Sequence, residues 1–95
     1  MYTVIFSPKA ANQYADIIDF LSAGPKKLTT FEKEIESAIR RLERMPESYP
    51  YKGKLRAARL VKSEYYLFYR IEDHSQQVVV VLIISQKADS SKWPK

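Results

Sequence analysis

The sequence has 95 residues but no cysteine, only two glycines and a single histidine. Without cysteine, neither a disulfide nor a thiolate metal site can form, and a reducing cytoplasm is the expected compartment. One histidine, with no close acidic pair outside the predicted helices, also argues against a metal site. With so few glycines, the chain has neither a glycine-rich phosphate loop nor a flexible linker. We therefore expect no metal and no cofactor.

The sequence also lacks a long hydrophobic run. Its longest apolar stretch, residues 78–84, is far shorter than the roughly 20 residues that a helix needs to span a bilayer. The N-terminus has none of the charged, apolar and cleavage segments that make up a signal peptide. These absences predict one soluble domain over residues 1–95, with no membrane partner. A chain of this length can bury about two-thirds of its unfolded surface.

Positive charge is present, and it is one-sided along the chain. Residues 1–51 hold seven Lys and Arg against seven Asp and Glu, whereas residues 52–95 hold nine against four. The formal net charge of +5 therefore belongs to the second half. The excess is concentrated on Lys52, Lys54, Arg56, Arg59, Lys62 and Arg70. Such a basic field predicts an acidic partner: a nucleic acid, an acidic protein segment or an anionic surface.

Two amphipathic helices are predicted in the first half. Ser7 is a good N-cap and Pro8 suits a first helical turn, so the first helix begins there and ends near residues 22–25. The second helix has a regular apolar stripe, which Pro46 ends. Thr29 and Glu32 form a possible capping box at its start. Its balanced charges are interpreted as a solvated face.

The remaining segments are predicted to be strands. Residues 2–6 form the first strand, and residues 55–62, 65–71 and 77–84 follow a loop over residues 47–53. The last strand has no polar alternation, so it should be central and buried on both faces, with the first strand beside it. The fold class is therefore α+β. The expected core comprises Phe6, Tyr14, Ile17, Ile18, Leu21, Phe31, Ile35, Ile39, Leu42, Leu67, Tyr69, Val80 and Leu82.

The basic strand pair with its aromatic residues is the main candidate site. Strand alternation places Arg56 and Lys62 on one face and Arg59 on the other. Guanidinium groups beside tyrosine rings suit phosphate binding and base stacking. Equally, basic side chains on a strand keep an exposed sheet soluble and protect its edge. Both interpretations remain open from these residues alone.

Other polar residues favour structural roles. Arg70 has an alternative interpretation as the ion-pair partner of a helix carboxylate, either Asp16 or Asp19. Those two carboxylates lie on the solvent face of the first helix, so paired acid–base catalysis is not expected from them. His74 falls in a predicted hairpin turn, where a solvated imidazole is the simpler interpretation.

Four segments in order resemble a known family. They are YTVIFSPKA at residues 2–10, IRRLERMP at 39–46, KLR at 54–56 and YLFYRI at 66–71. Together they resemble the RelE/ParE superfamily of bacterial toxins from type II toxin–antitoxin systems, over residues 2–87. The resemblance implies two N-terminal helices packed on one side of a twisted, mainly antiparallel sheet of about four strands. It also implies a cognate antitoxin that wraps and neutralises the protein.

The two branches of this family imply different functions. RelE-like toxins cut messenger RNA on the ribosome without a metal, using basic sheet residues and an Arg, Tyr or His just after the final strand. ParE-like toxins lack that set and poison DNA gyrase. If the protein is a nuclease, the resemblance implies catalytic roles for Lys54, Arg56, Arg59, Tyr69 and Lys87. In residues 85–89 only Lys87 is basic, and no Arg, His or Tyr follows Ile84, so the ParE-like hypothesis is preferred.

The resemblance implies specific partners. A cognate antitoxin and DNA gyrase are expected, and the alternative is the ribosome with messenger RNA. A third possibility is a non-toxic family member that only binds its antitoxin. Under the gyrase hypothesis, residues 87–95 become a contact surface, because the tail matters in that branch. The predicted partner-binding residues are Lys52, Lys54, Arg56, Arg59, Lys62, Arg70, Lys87 and Trp93.

Overall fold

The computed structural model describes residues 1–88 of the chain, and the predicted order of strand, two helices and strands is confirmed. The helices and strands are β1 (Thr3–Phe6), α1 (Pro8–Leu21), α2 (Pro25–Arg44), β2 (Tyr51–Lys52), β3 (Leu55–Leu60), β4 (Tyr65–Glu72) and β5 (Gln77–Ser85). A single 3₁₀ turn, Pro46–Ser48, follows α2. Neither helix in the described residues is long and apolar enough to cross a bilayer.

The strands form one mixed sheet in the order β1-β5-β4-β3-β2. The first strand runs parallel to β5, and the other neighbours are antiparallel. About four strands were expected, and the fifth is β2, inside the segment predicted to be a loop. It forms because Gly53 adopts φ 75° and lets Tyr51 and Lys52 turn back onto β3.

Helix boundaries follow capping chemistry at one helix and not at the other. Ser7 caps α1 as predicted, with its Oγ accepting a hydrogen bond from the Ala10 N–H at 3.1 Å. The predicted capping box of Thr29 and Glu32 is wrong, because α2 already begins at Pro25 after Gly24. Proline at the first helical position needs no N–H partner, so it starts the helix one turn earlier.

The main core lies between the two helices and one face of the sheet. Both Phe31 and Leu42 of α2 are fully buried there, against Leu67, Tyr69 and Val80 of the sheet. Eight of the thirteen expected core residues are buried. The other five are only partly buried and pack on the margin of this core: Phe6, Tyr14, Ile17, Ile18 and Ile39.

Strand β5 is central and buried on both faces, as predicted. Its pairing with β4 contains a bulge, because Phe68 pairs with Leu82 and the adjacent Tyr69 pairs with Val80. A bulge inserts one extra residue and reverses the alternation beyond it. Consequently Val80 and Ile83 both point towards the helices, while Leu82 points away.

A second apolar cluster lies on the sheet face opposite the helices, which we call the far face. Its buried members are Ala57, Phe68 and Leu82. Partly buried side chains surround them: Leu55, Tyr66, Val81 and Ile84. Leu82 belongs to the expected core, whereas Phe68 does not. Strand alternation predicts that Tyr65, Leu67, Tyr69 and Ile71 form the one apolar face of β4.

Glu34 joins α2 to the turn between β3 and β4, which follows Leu60 and not the predicted residue 62. Its carboxylate accepts the backbone N–H groups of Lys62, at 3.0 Å, and Ser63, at 2.7 Å. Partial burial disfavours the charged carboxylate, but hydrogen bonds from Ser63 and Lys62 outweigh this effect and lower the pKa of Glu34. The ionised side chain therefore stabilises a turn in which Glu64 has φ 63°.

Replacing Glu34 with Gln should destabilise the fold at neutral pH by about 1 kcal/mol, because the amide keeps one acceptor and loses the charge. A lowered carboxyl pKa stabilises the folded state above the unfolded pKa of about 4.3 and ceases to do so as the pH falls through the folded value. The difference between Glu34→Gln and wild type should therefore shrink below about pH 4. Denaturant unfolding at several pH values measures this difference in the free energy of unfolding. Glu32→Gln, on the exposed face of α2, is the control, and equal behaviour of both variants would contradict the role of Glu34.

Candidate functional site

The basic residues of the second half do not form one surface. Strand register places Lys52, Arg59 and Arg70 on the far face, beside the second apolar cluster. We call these three residues the far-face patch. Lys54 and Arg56 lie near the 3₁₀ turn, and Lys62 and Lys87 lie at the opposite end of the sheet. The basic residues therefore lie in three regions of the surface. Arg70 lies where the far face meets the cavity beside the 3₁₀ turn.

Each member of the far-face patch has a defined neighbour. The Nζ of Lys52 lies 5.0 Å from the centre of the Tyr66 ring. The Nε of Arg59 donates a hydrogen bond to Oε1 of Gln86 at 3.3 Å. The exposed guanidinium of Arg59 remains able to meet a partner's carboxylate.

Arg70 makes an ion pair with Glu72, at 3.0 Å, on the protein surface. The alternative pairing with Asp16 or Asp19 is wrong, because Arg70 points to the far face and α1 lies across the other face. An exposed ion pair of this kind contributes at most about 1 kcal/mol. The Arg70 side chain is half exposed and remains on the far-face patch.

Arg56 is occupied by the loop that precedes β2. One guanidinium nitrogen donates to the backbone carbonyls of Glu47, at 3.1 Å, and Tyr49, at 2.7 Å. Its guanidinium carbon also lies 4.3 Å from the centre of the Tyr51 ring. The sequence contains no signal for these contacts, because the carbonyls come from a segment without periodic structure. Two of the five guanidinium N–H donors therefore fix the loop.

Tyr69 is a core residue, as predicted. Its side chain is fully buried, and its hydroxyl donates a hydrogen bond to the carbonyl of Pro46. Burial raises the pKa of Tyr69 to about 12, although nearby Arg56 acts in the opposite direction. Such a hydroxyl neither reaches a substrate nor exchanges a proton near neutral pH.

Lys54 lies in the turn between β2 and β3, at the edge of a cavity of about 320 Å³. Arg56 and Arg70 share this cavity with two carboxylates, Glu47 and Asp73. The mixed charges weaken any attraction for a phosphate. This cavity therefore does not resemble a phosphate-binding site.

The far face contains an apolar cavity of about 240 Å³. Its lining residues are Tyr49, Pro50, Tyr51, Lys52, Ala57, Arg59 and Tyr66. Tyrosine-rich cavities beside cationic side chains suit an apolar anchor residue that is flanked by acidic groups. No sequence pattern predicts this cavity, because two of its lining residues belong to β2, a strand in a segment that was expected to be a loop.

Lys62 and Lys87 line a third cavity, of about 370 Å³, at the end of the molecule where α1 meets α2. The Nζ of Lys87 lies 3.5 Å from a carboxylate oxygen of Glu64. Trp93, the last predicted binding residue, lies outside the described residues. In the described part of the chain, no three His, Asp or Glu side chains come together as a metal site would require.

Replacing Tyr69 with Phe should destabilise the protein by about 1–2 kcal/mol, because the buried Pro46 carbonyl loses its hydrogen-bond donor. A raised tyrosine pKa stabilises the folded state below the unfolded pKa, here 10.0, and this contribution is lost as the pH rises to about 12. Wild type should therefore lose stability over that range, whereas Tyr69→Phe should lose less. Thermal unfolding across this pH range measures the effect, with Tyr51→Phe, on an exposed side chain, as the control. Identical pH profiles for wild type and Tyr69→Phe would contradict the assignment.

Comparisons with known proteins identify the family of the sequence and a solved structure with a similar fold. A family model described as "ParE toxin of type II toxin-antitoxin system, parDE" matches residues 4–90. A solved structure titled "Chromosomal ParDE TA system from P. aeruginosa" is similar to this chain with a TM-score of 0.71 and 18% sequence identity. The similar region covers 90% of this chain and 96% of the other. At 18% identity, this similarity shows a shared fold. No curated protein matches the sequence significantly.

Proposed function

The chain belongs to the ParE toxin family of type II toxin–antitoxin systems, and from this premise we propose that it arrests bacterial growth by inhibiting DNA gyrase. A cognate antitoxin neutralises it. The observation that supports this proposal over the nuclease alternative concerns two of the candidates able to transfer a proton: Tyr69 is buried and Lys87 is paired with Glu64. Gyrase inhibition by binding requires a docking surface and no assembled acid–base pair.

The nuclease candidates are divided among three places, and three of them make contacts within the fold. Lys54, Arg56 and Tyr69 line one cavity, whereas Arg59 lies on the far face and Lys87 at the other end of the sheet. Arg56 binds loop carbonyls, Tyr69 is buried, and Lys87 pairs with Glu64. Proton transfer by a positioned side chain contributes about 100-fold or more to a rate. With Tyr69 buried and Lys87 paired, the described residues 1–88 fit a binding function better than RNA cleavage.

The antitoxin is proposed to cover the far face. The far-face patch attracts acidic side chains, and the neighbouring tyrosine-lined cavity accepts an apolar one. A segment with acidic residues around an aromatic or aliphatic anchor would satisfy both features at once. Protein interfaces commonly combine such a buried anchor with a polar rim.

The ribosome-dependent nuclease remains the second candidate, and one observation favours it. Arg59 and Tyr66 lie opposite each other in the β3–β4 register and share the far face. A guanidinium beside an aromatic ring suits an RNA backbone and a stacked base. A non-toxic protein that only binds its antitoxin is the third candidate.

Two assays on purified protein distinguish these functions. We expect the protein to inhibit supercoiling of relaxed plasmid by gyrase and to leave messenger RNA intact in a purified translation system. Adding the antitoxin should restore supercoiling. Messenger RNA cleavage on the ribosome with normal supercoiling would replace the gyrase proposal with the nuclease, and inactivity in both assays would favour the non-toxic member.

Reversing the charge at Arg59 tests the antitoxin surface. Arg59→Glu should weaken antitoxin binding about tenfold or more at low salt, because a cation that faces carboxylates becomes an anion. The difference should shrink as salt rises, since screening removes the attraction. Folding should change by about 0.5 kcal/mol or less, as is usual for exposed positions.

Titration calorimetry at several salt concentrations measures the affinity. Lys33→Glu is the control, because it makes the same charge change on the exposed face of α2. Equal losses for both variants would show an effect of net charge alone. Unchanged affinity for Arg59→Glu would remove the far-face patch from the antitoxin interface.

A further inference from the structure

The largest of the cavities described above lies at the end of the molecule, away from the far face. Its walls come from the end of α1, the start of α2, the β3–β4 turn and the end of β5. Leu21 and Tyr65 provide apolar wall, and three lysines line it: Lys27, Lys62 and Lys87. We call this site the end cavity. It has a volume of about 370 Å³, enough for a large side chain.

Phe20 lines the end cavity with 77% of its surface exposed. The neighbouring Leu21 is buried in the core and holds the end of α1 in place. A single exposed apolar side chain is ordinary on a protein surface. An exposed phenylalanine beside a cavity whose mainly polar wall includes Leu21 and Tyr65 can instead serve as an anchor contact in a protein interface.

The charges around Phe20 favour an acidic partner. Within residues 1–88, neither Lys27 nor Lys62 forms a side-chain ion pair. Nearby Glu34 accepts two backbone N–H groups, and the positive charge of Lys62 helps to lower the pKa of its carboxyl. Glu64 pairs with Lys87 at 3.5 Å. Lys27, together with a Lys62 whose attraction to Glu34 acts without a direct ion pair, can therefore meet carboxylates from outside.

We propose that the end cavity is the surface through which this toxin docks on its target protein. The ligand is an acidic segment of that protein, whose apolar side chain enters the cavity against Phe20 and whose carboxylates meet Lys27 and Lys62. This inference rests on the proposed function, in which the target is gyrase. A nucleic acid fits less well, because Glu64 lines the end cavity and would face its continuous line of phosphates.

The end cavity and the far-face cavity have no lining residue in common. Target docking and antitoxin binding can therefore be altered separately. An antitoxin on the far face would neutralise the toxin by its bulk or by holding it away from the target, without filling the end cavity. If the end cavity were only a solvated surface, substitutions in it would not weaken inhibition of the target while leaving antitoxin binding unchanged.

The test uses two variants of the full-length protein, Phe20→Ser and the double charge reversal Lys27→Glu with Lys62→Glu. Each should raise the concentration needed to inhibit gyrase supercoiling at least tenfold and should relieve growth arrest on induction. Antitoxin affinity should stay at the wild-type value in both variants. The melting temperature should stay at the wild-type value for Phe20→Ser and fall slightly for the double reversal, because a carboxylate at position 62 would lie near that of Glu34. The matched controls are Met45→Ser, at an exposed apolar residue after α2, and the double charge reversal Lys9→Glu with Lys33→Glu, at two exposed helix positions.

Full potency in both variants would overturn the proposal, as would a matching loss of antitoxin affinity, which would assign the end cavity to the antitoxin. Loss of plasmid binding in the absence of gyrase would show that the ligand is a nucleic acid. If wild type arrests growth without inhibiting gyrase, the proposed target is wrong, and relief of arrest by Phe20→Ser would still support the docking surface. If wild type arrests no growth, both proposals fall.

Discussion

Burial of β5 on both faces is the constraint on which the rest of the structure depends. This strand pairs with β1 on one side and β4 on the other, so its side chains must be covered above and below the sheet. The helices cover one face, where Val78 and Val80 meet α1 and α2. The bulge after Val80 then turns Leu82 to the far face, where a second apolar cluster forms around Phe68.

The loop between α2 and β3 depends on contacts with the sheet. The hydroxyl of Tyr69 binds Pro46, and Arg56 binds the carbonyls of Glu47 and Tyr49. On the helix side, Arg41 donates to the Ser48 hydroxyl at 2.8 Å. These hydrogen bonds place β2 beside β3, and β2 in turn forms a wall of the far-face cavity. Arg56 and Tyr69, which are nuclease candidates by resemblance, therefore hold a wall of the far-face cavity in shape.

The distribution of charge follows from the same packing. Basic residues that are consecutive in the second half point to opposite faces or to opposite ends of the sheet. Arg56, near the loop, is engaged with carbonyls, whereas Arg59 and Lys62 meet solvent. Net charge alone therefore overstates the size of any one basic surface. Two smaller surfaces, one at the far face and one at the end cavity, are the separate places where acidic partners can be met.

Periodicity in the sequence by itself determined the α+β class, the element order, the central position of β5 and most of the core, because the spacing of apolar residues depends on local geometry. The resemblance of short segments identified the family. Strand β2, the bulge, the burial of Phe68 and the roles of Arg56 and Arg70 were decided only by tertiary structure. Each of these features depends either on a contact between residues distant in sequence or on the face to which a strand turns after a bulge. Local spacing of residues contains neither kind of information, so the sequence did not specify where the far-face cavity and the end cavity would form.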